Sequence, residues 1–134
     1  MAGTWKTMTY FAFALPNRPG ELARFMDQLR AADIDLAGLW GYAEGEENPR
    51  ISCAPIDADA CRSYLKDLGF ELEEGRTFYS SGENQPGALV DVLEKIAEAK
   101  VNIEAIETVA SGTTFGCFLW TAEKDWEALQ SLLA

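Results

Sequence analysis

Asn17-Arg18-Pro19-Gly20-Glu21-Leu22 is written a second time as Asn84-Gln85-Pro86-Gly87-Ala88-Leu89, 67 residues further on (from 17 to 84). Asn can hydrogen-bond its own backbone and tolerates unusual dihedrals. Pro fixes φ at a first helical position, where its missing N–H costs nothing, and Gly lets the chain turn tightly. Each copy therefore reads as strand, tight loop, helix N-terminus. A loop of this design is expected to present unpaired backbone N–H groups and the positive end of a helix dipole to whatever lies in front of it.

Outward from the first copy, Trp5 to Leu15 is rich in Thr and aromatic residues and predicts a strand ended by Pro16. From Pro19 to Ala32 the apolar positions Leu22, Phe25, Met26 and Leu29 form one helical stripe. Ile34, Leu36 and Leu39 open a second strand. Gly41 to Pro49, with Glu44, Gly45, Glu46 and Glu47, reads as a hairpin turn, and Ile51 to Ala54 as the returning strand. A second helix is predicted from Ala58 to Leu68, capped by Gly69, and Phe70 and Leu72 suggest a short fourth strand. The order is β-α-β-β-α-β, the ferredoxin-like arrangement.

The second half repeats the pattern. Arg76 to Ser81 reads as a strand and Pro86 to Ala99 as a helix, with Leu89, Val92, Leu93 and Ile96 in register with Leu22, Phe25, Met26 and Leu29. Val101, Ile103 and Ile106 match Ile34, Leu36 and Leu39. Ser111-Gly112-Thr113 is the turn, and Thr114 to Thr121 the third strand. One inserted residue then shifts the offset to 68, placing Ala122, Asp125, Ala128, Ser131 and Leu133 on Ala54, Asp57, Ala60, Ser63 and Leu65. The expectation is an α+β protein of two ferredoxin-like units, 1–75 and 76–134, with antiparallel sheets and helices on one face.

In that register the second unit has no counterpart of Leu68 to Gly75, so its fourth strand is missing and the edge of Arg76–Ser81 would stand open. Proteins rarely leave such an edge unpaired. The N-terminal extension Ala2–Thr9, a partner subunit, or a short edge blunted by Arg76 and Glu83 could each answer this. The balance favours a partner, and hence a homodimer.

With 22 acidic against 11 basic residues the net charge is −11, which argues against a nucleic-acid partner. No run of apolar residues suits a membrane span, and the N-terminus carries no signal pattern. Cys53, Cys61 and Cys117 follow no metal or disulfide spacing, and with no His in the chain neither a zinc site nor an activated thiol is expected. They read as buried thiols of a cytoplasmic protein, and no cofactor is called for. The dense carboxylates Glu44/Glu46/Glu47 and Glu71/Glu73/Glu74 read as solvated faces rather than acid–base pairs. Trp40 and Trp120 are expected to pack in the sheet interface, with Trp126 on the last helix against it.

The Asn-x-Pro-Gly-x-Leu loop after a strand, followed by a helix and then Asp33-Ile34-Asp35-Leu36 or Lys100-Val101-Asn102-Ile103, resembles the ACT domain, here in tandem. The resemblance implies a stand-alone small-molecule sensor without catalysis of its own, binding an amino acid at the interface between ACT domains and heard by a metabolic enzyme or regulator. It implies a first ligand set of Asn17, Arg18, Gly20 and Leu22 with Asp35 and Leu36. The second set is Asn84, Gln85, Gly87 and Leu89 with Asn102 and Ile103. Serine-binding members of the family carry a histidine two places before the loop Asn. Those places are Leu15 and Gly82 here, and the family's strand asparagine survives only as Asn102, with Asp35 at the matching place, so serine is disfavoured and the two sets are not equivalent. Asn17 and Asn84 could also serve only as helix caps. An interaction or oligomerisation module without ligand, or a small enzyme on this scaffold, are the alternative readings.

Overall fold

The computed structural model describes residues 4–43 and 48–134. The elements run β1 (Trp5–Ala14), α1 (Glu21–Ala31), β2 (Leu36–Tyr42), β3 (Arg50–Pro55), α2 (Ala58–Asp67), β4 (Glu73–Glu83), α3 (Val90–Glu98), β5 (Ile103–Ser111), β6 (Thr114–Thr121) and α4 (Trp126–Leu133). They form two compact units, Thr9–Gly75, and Met1–Met8 with Arg76–Ala134. Both are α+β with antiparallel strands, as the repeat predicts. The predicted turn residues Glu44–Glu47 lie outside the described residues. Among the described residues, no helix is long and apolar enough to cross a membrane.

In the Thr9–Gly75 unit the strands lie in the order β2-β3-β1. Phe11 pairs with Cys53 and Phe13 with Ile51, so these four side chains share one face of the sheet. That face meets Phe25 and Leu29 of α1 and Cys61 and Leu65 of α2, all buried. The helices thus cover a single side. The other unit repeats the plan. Phe78 pairs with Leu119, and Phe78, Phe115, Cys117 and Leu119 face Ile96 of α3 and Leu129 of α4.

The repeat extends to individual hydrogen bonds. After α1, the N–H groups of Asp33 and Ile34 donate to the carbonyls of Arg30 and Leu29. After α3, Lys100 and Val101 donate to Ala97 and Ile96, the same pattern 67 residues on (from 33 to 100). Both are helix stops that require a left-handed residue, and Asp33 (φ 56°) and Lys100 (φ 60°) occupy it. α2 stops the same way with Gly69 (φ 89°), the residue such a bend favours.

Four expectations are corrected. First, Phe70 and Leu72 form no strand. They pack on the first core, Phe70 lying 4.8 Å from Phe13 and 5.9 Å from Phe25 between ring centroids. The strand begins at Glu73 and continues without a break through the predicted Arg76–Ser81. Its first residues belong to the Thr9–Gly75 unit, where a Cβ on Gly75 would lie 2.8 Å from the Tyr10 ring.

Second, α3 starts at Val90 rather than Pro86. Gly87 is left-handed (φ 73°), and the N–H groups of Ala88 and Val90 close short turns onto Gln85 and Gly87. Third, the single insertion resolves into two changes. Across β3 and β6 the offset falls to 66 (Cys53 to Leu119), and across the last helices it rises to 68 (Cys61 to Leu129). A one-turn 3₁₀ segment, Glu123–Asp125, fills the longer connection before α4.

Fourth, the edge of β4 is closed by the chain itself. Its neighbours are β6 and β1, and Trp5–Met8 at the start of β1 falls in the same unit as Arg76–Ala134. Trp5 packs against the second core. A tethered strand needs no second molecule to find its place, so this edge makes no demand on a partner subunit.

Two measurements test these points. Deleting residues 1–8 should lower the thermal midpoint and bring concentration-dependent association in sedimentation, because β4 is then bared. A truncated chain that stays monomeric with an unchanged midpoint would show the strand to be idle. Asp33→Gly and Lys100→Gly should each stabilise by about 0.5–1 kcal/mol, the relief of a left-handed residue less the entropy glycine adds to the unfolded chain.

Candidate functional site

The Asn17 loop leaves β1 at its Ala14 end, where β1 pairs with Arg50, and Arg50 also pairs with Tyr42 at the end of β2. The loop, the end of β2 and the start of β3 thus share one end of the Thr9–Gly75 unit. Between them lies a cleft of about 340 Å³. Its walls are Leu15, Pro16, Leu22, Leu39, Trp40, Gly41, Tyr42, Pro49 and Ile51, and its polar side chains are Asn17, Arg18 and Glu21. Arg18 Nη2 donates to Glu21 Oε1 at 2.7 Å. The Arg18 side chain is 68% exposed and that of Glu21 17%, so the acid sits deeper than the base.

The loop N–H groups are not the open donors that the sequence suggests. Asn17 N–H donates to Asn48 Oδ1 at 3.1 Å, Arg18 N–H to the Pro16 carbonyl at 2.9 Å, and Glu21 N–H to the Arg18 carbonyl at 3.4 Å. Gly20, left-handed at φ 90°, is the N-cap of α1, and no side chain caps that helix, so Asn17 is not a helix cap. Leu22 and Ala23 keep the first-turn donors that any helix leaves without an intrahelical acceptor. Among the described residues, the charged side chains at this cleft are Arg18 and Glu21.

The structure divides the first predicted set. Asn17, Arg18 and Leu22 line the cleft, and Gly20 shapes its loop. Asp35 and Leu36 lie at the opposite end of β2, since Leu36 pairs with Pro55. Along the strand Leu36 stands about 10 Å from Leu39, the nearest β2 residue of the cleft, and about 20 Å from Tyr42. Asp35 is exposed, and its carbonyl accepts from Ile56 N–H.

The second set is divided in the same way. Asn84, Gln85 and Gly87 are exposed beside the β5–β6 turn, and Asn84 N–H donates to the Thr113 carbonyl at 2.8 Å. Leu89 is half-buried and packs on the second core together with Ala88. Asn102, exposed, and Ile103, paired with Thr121, sit at the far end of β5.

Sequence reasoning missed Leu15, Pro16, Glu21, Leu39, Trp40, Gly41, Tyr42, Pro49 and Ile51 as cleft residues. Trp40 and Tyr42, two apart at the end of a strand, carried the one available signal. Trp120 stacks on Phe118 with centroids 6.0 Å apart, and Arg76 lies over the Trp126 ring at 5.4 Å.

The three cysteines are buried and unbridged. Cys53 donates to Cys61, and this bond together with burial pushes its thiol well above the ordinary range. Burial also raises that of Cys117. Cys61, which accepts that bond, is shifted the other way, its thiol lowered. A thiol held protonated, as in Cys53 and Cys117, is a poor nucleophile.

The fold has well-matched solved counterparts. A protein of Bacteroides thetaiotaomicron superposes with a TM-score of 0.81 and 23% identity, over 96% of this chain and 88% of that one. The regulatory subunit of aspartate kinase from Thermus thermophilus gives 0.66 and 16%, over 98% and 95%. Aspartokinase III of E. coli, in complex with lysine and aspartate, gives 0.53 and 18%, over 98% of this chain and 33% of that one. The chain therefore has the ACT-domain fold in tandem. No family model matches its sequence, and no curated protein sequence does.

If the Asn48 side chain fixes the loop, Asn48→Ala should cost about 0.5–1.5 kcal/mol. Amide exchange at Asn17 should quicken by at least several-fold while that of β1 is unchanged. Unaltered exchange at Asn17 would mean that another group holds the loop.

Proposed function

We propose that the protein is a cytoplasmic, non-catalytic regulatory module that senses an amino acid, its two ACT-type repeats divided along the chain at Gly75–Arg76. The observation that carries this reading is the cleft facing the Asn17 loop, where a cation and an anion, Arg18 and Glu21, stand together at an otherwise apolar recess. A zwitterion presents the complementary pair of charges, and side-chain ions make stronger hydrogen bonds than neutral groups. The cleft volume is at the lower end of the range for small-molecule sites, about 300–1,000 Å³, which suits a single amino acid better than a nucleotide.

The fold adds support of a coarser kind, because the regulatory subunit of aspartate kinase from Thermus thermophilus shares it. We place the ligand in this cleft, with Asn17, Arg18 and Leu22 from the first predicted set. Asp35 and Leu36, and the second set from Asn84 to Ile103, are given no share in it. Occupancy would bias how the chain meets a second copy of itself or a metabolic enzyme or regulator, which reads the bound state through that differential contact.

The test is a thermal-shift series with each of the twenty amino acids on the full chain. A ligand at one hundred times its Kd stabilises by about 2.7 kcal/mol, so at least one amino acid should raise the midpoint by roughly 5–10 °C. If none moves it, the sensor reading fails.

A further inference from the structure

We propose that the cleft beside the Asn17 loop selects one amino acid with a bulky apolar side chain, aliphatic or aromatic, over small polar and cationic ones. This rests on the sensor reading above and adds the ligand class to it. The polar groups of the cleft are gathered in the loop and the first helical turn, where Arg18 Nη2 and Glu21 Oε1 are 2.7 Å apart. A zwitterion anchored there gives its carboxylate to Arg18 and its ammonium to Glu21, exchanging one internal ion pair for two with the ligand.

With that end fixed, the side chain is directed at the remaining wall. That wall is apolar: Leu22 from α1 and Leu39 from β2 share the helix-covered side of the sheet there, and Trp40 and Tyr42, whose side chains alternate to the other face of the strand, border it. Leu22 and Leu39 are among the exposed large hydrophobic residues of the chain, 45% and 36% accessible, so apolar surface stands uncovered at this place. An apolar side chain removes that surface from water together with its own. A serine or threonine hydroxyl covers little of it and loses hydration without a partner. A lysine ammonium directed at the same wall loses hydration and meets no carboxylate among the described residues of that wall.

The experiment is calorimetric titration of the full chain with phenylalanine, tryptophan, leucine, isoleucine, serine, threonine and lysine, repeated on Leu22→Ser and Arg18→Gln. Both substituted side chains are exposed, so the fold should be retained, and circular dichroism checks this. The expected result is that at least one of the four apolar amino acids binds ten-fold or more tightly than serine, threonine or lysine. Leu22→Ser should weaken that binding several-fold, and Arg18→Gln by about ten-fold. If serine, threonine or lysine binds as tightly as the apolar four, the ligand class is overturned while the sensor reading stands. If an apolar amino acid binds and neither variant weakens it, this cleft is not its site. If nothing binds, the inference falls together with the reading it rests on.

Discussion

A strand inside a sheet must have both edges paired, and in the second unit this condition decides what the N-terminal residues are for. β4 carries the buried Thr77, Phe78 and Ser80, and Thr77 Oγ1 donates to the Leu119 carbonyl at 3.0 Å. Its far edge would otherwise present a row of backbone donors and acceptors with no acceptable partner but water. Trp5–Met8 supplies the missing neighbour, and Trp5 adds apolar area to the core that the strand borders. A stretch with no counterpart in the other repeat is thereby an integral part of the fold. It gives β4 its second neighbour in the sheet.

Much of this architecture is legible in the sequence because its causes are local. Apolar stripes spaced for a helix place Phe25, Leu29, Cys61, Leu65, Ile96 and Leu129 on the inner faces of their helices. The duplicated loop gives the offset, and the matched stops at Asp33 and Lys100 show that the repeat persists in backbone geometry where the residues differ. What escaped the reading is what depends on distant partners. No pattern within residues 70–76 says that Phe70 prefers the Phe13–Phe25 cluster to a strand. None within residues 86–89 says that Gly87 will delay the helix. The two-step change of offset, from 67 to 66 to 68, hides in the sequence as one insertion because its two parts nearly cancel.

The candidate site divides along the same line. The loop contributes Asn17, Arg18 and Leu22, and these were readable. The opposite wall comes from the end of β2 and the start of β3, more than twenty residues downstream, and only strand pairing brings Tyr42 and Arg50 to the level of Ala14. Asp35 and Leu36, which the family resemblance adds to the set, lie at the other end of β2, where Leu36 pairs with Pro55. The loop donors, too, were assigned from an isolated motif. In the folded chain the hairpin reaches back to take one of them in each repeat, through Asn48 Oδ1 in the first and the Thr113 carbonyl in the second.

Two loops so alike in sequence therefore come to different ends, and the residues that differ account for it. At the places of Arg18 and Glu21 the second loop carries Gln85 and Ala88. Glu21 opens α1 and pairs with Arg18, whereas Ala88 lies in a turn ahead of α3 and packs with Leu89 on the second core. In one repeat the segment turns its charges toward a recess, and in the other it turns its apolar side chains inward. A loop that spends Ala88 and Leu89 on packing has no ion pair left to offer a zwitterion, while one that holds Leu22 exposed has apolar surface still to be covered. The repeat that donates its loop to the core gains stability from it, and the other repeat is left with the surface on which recognition can be built.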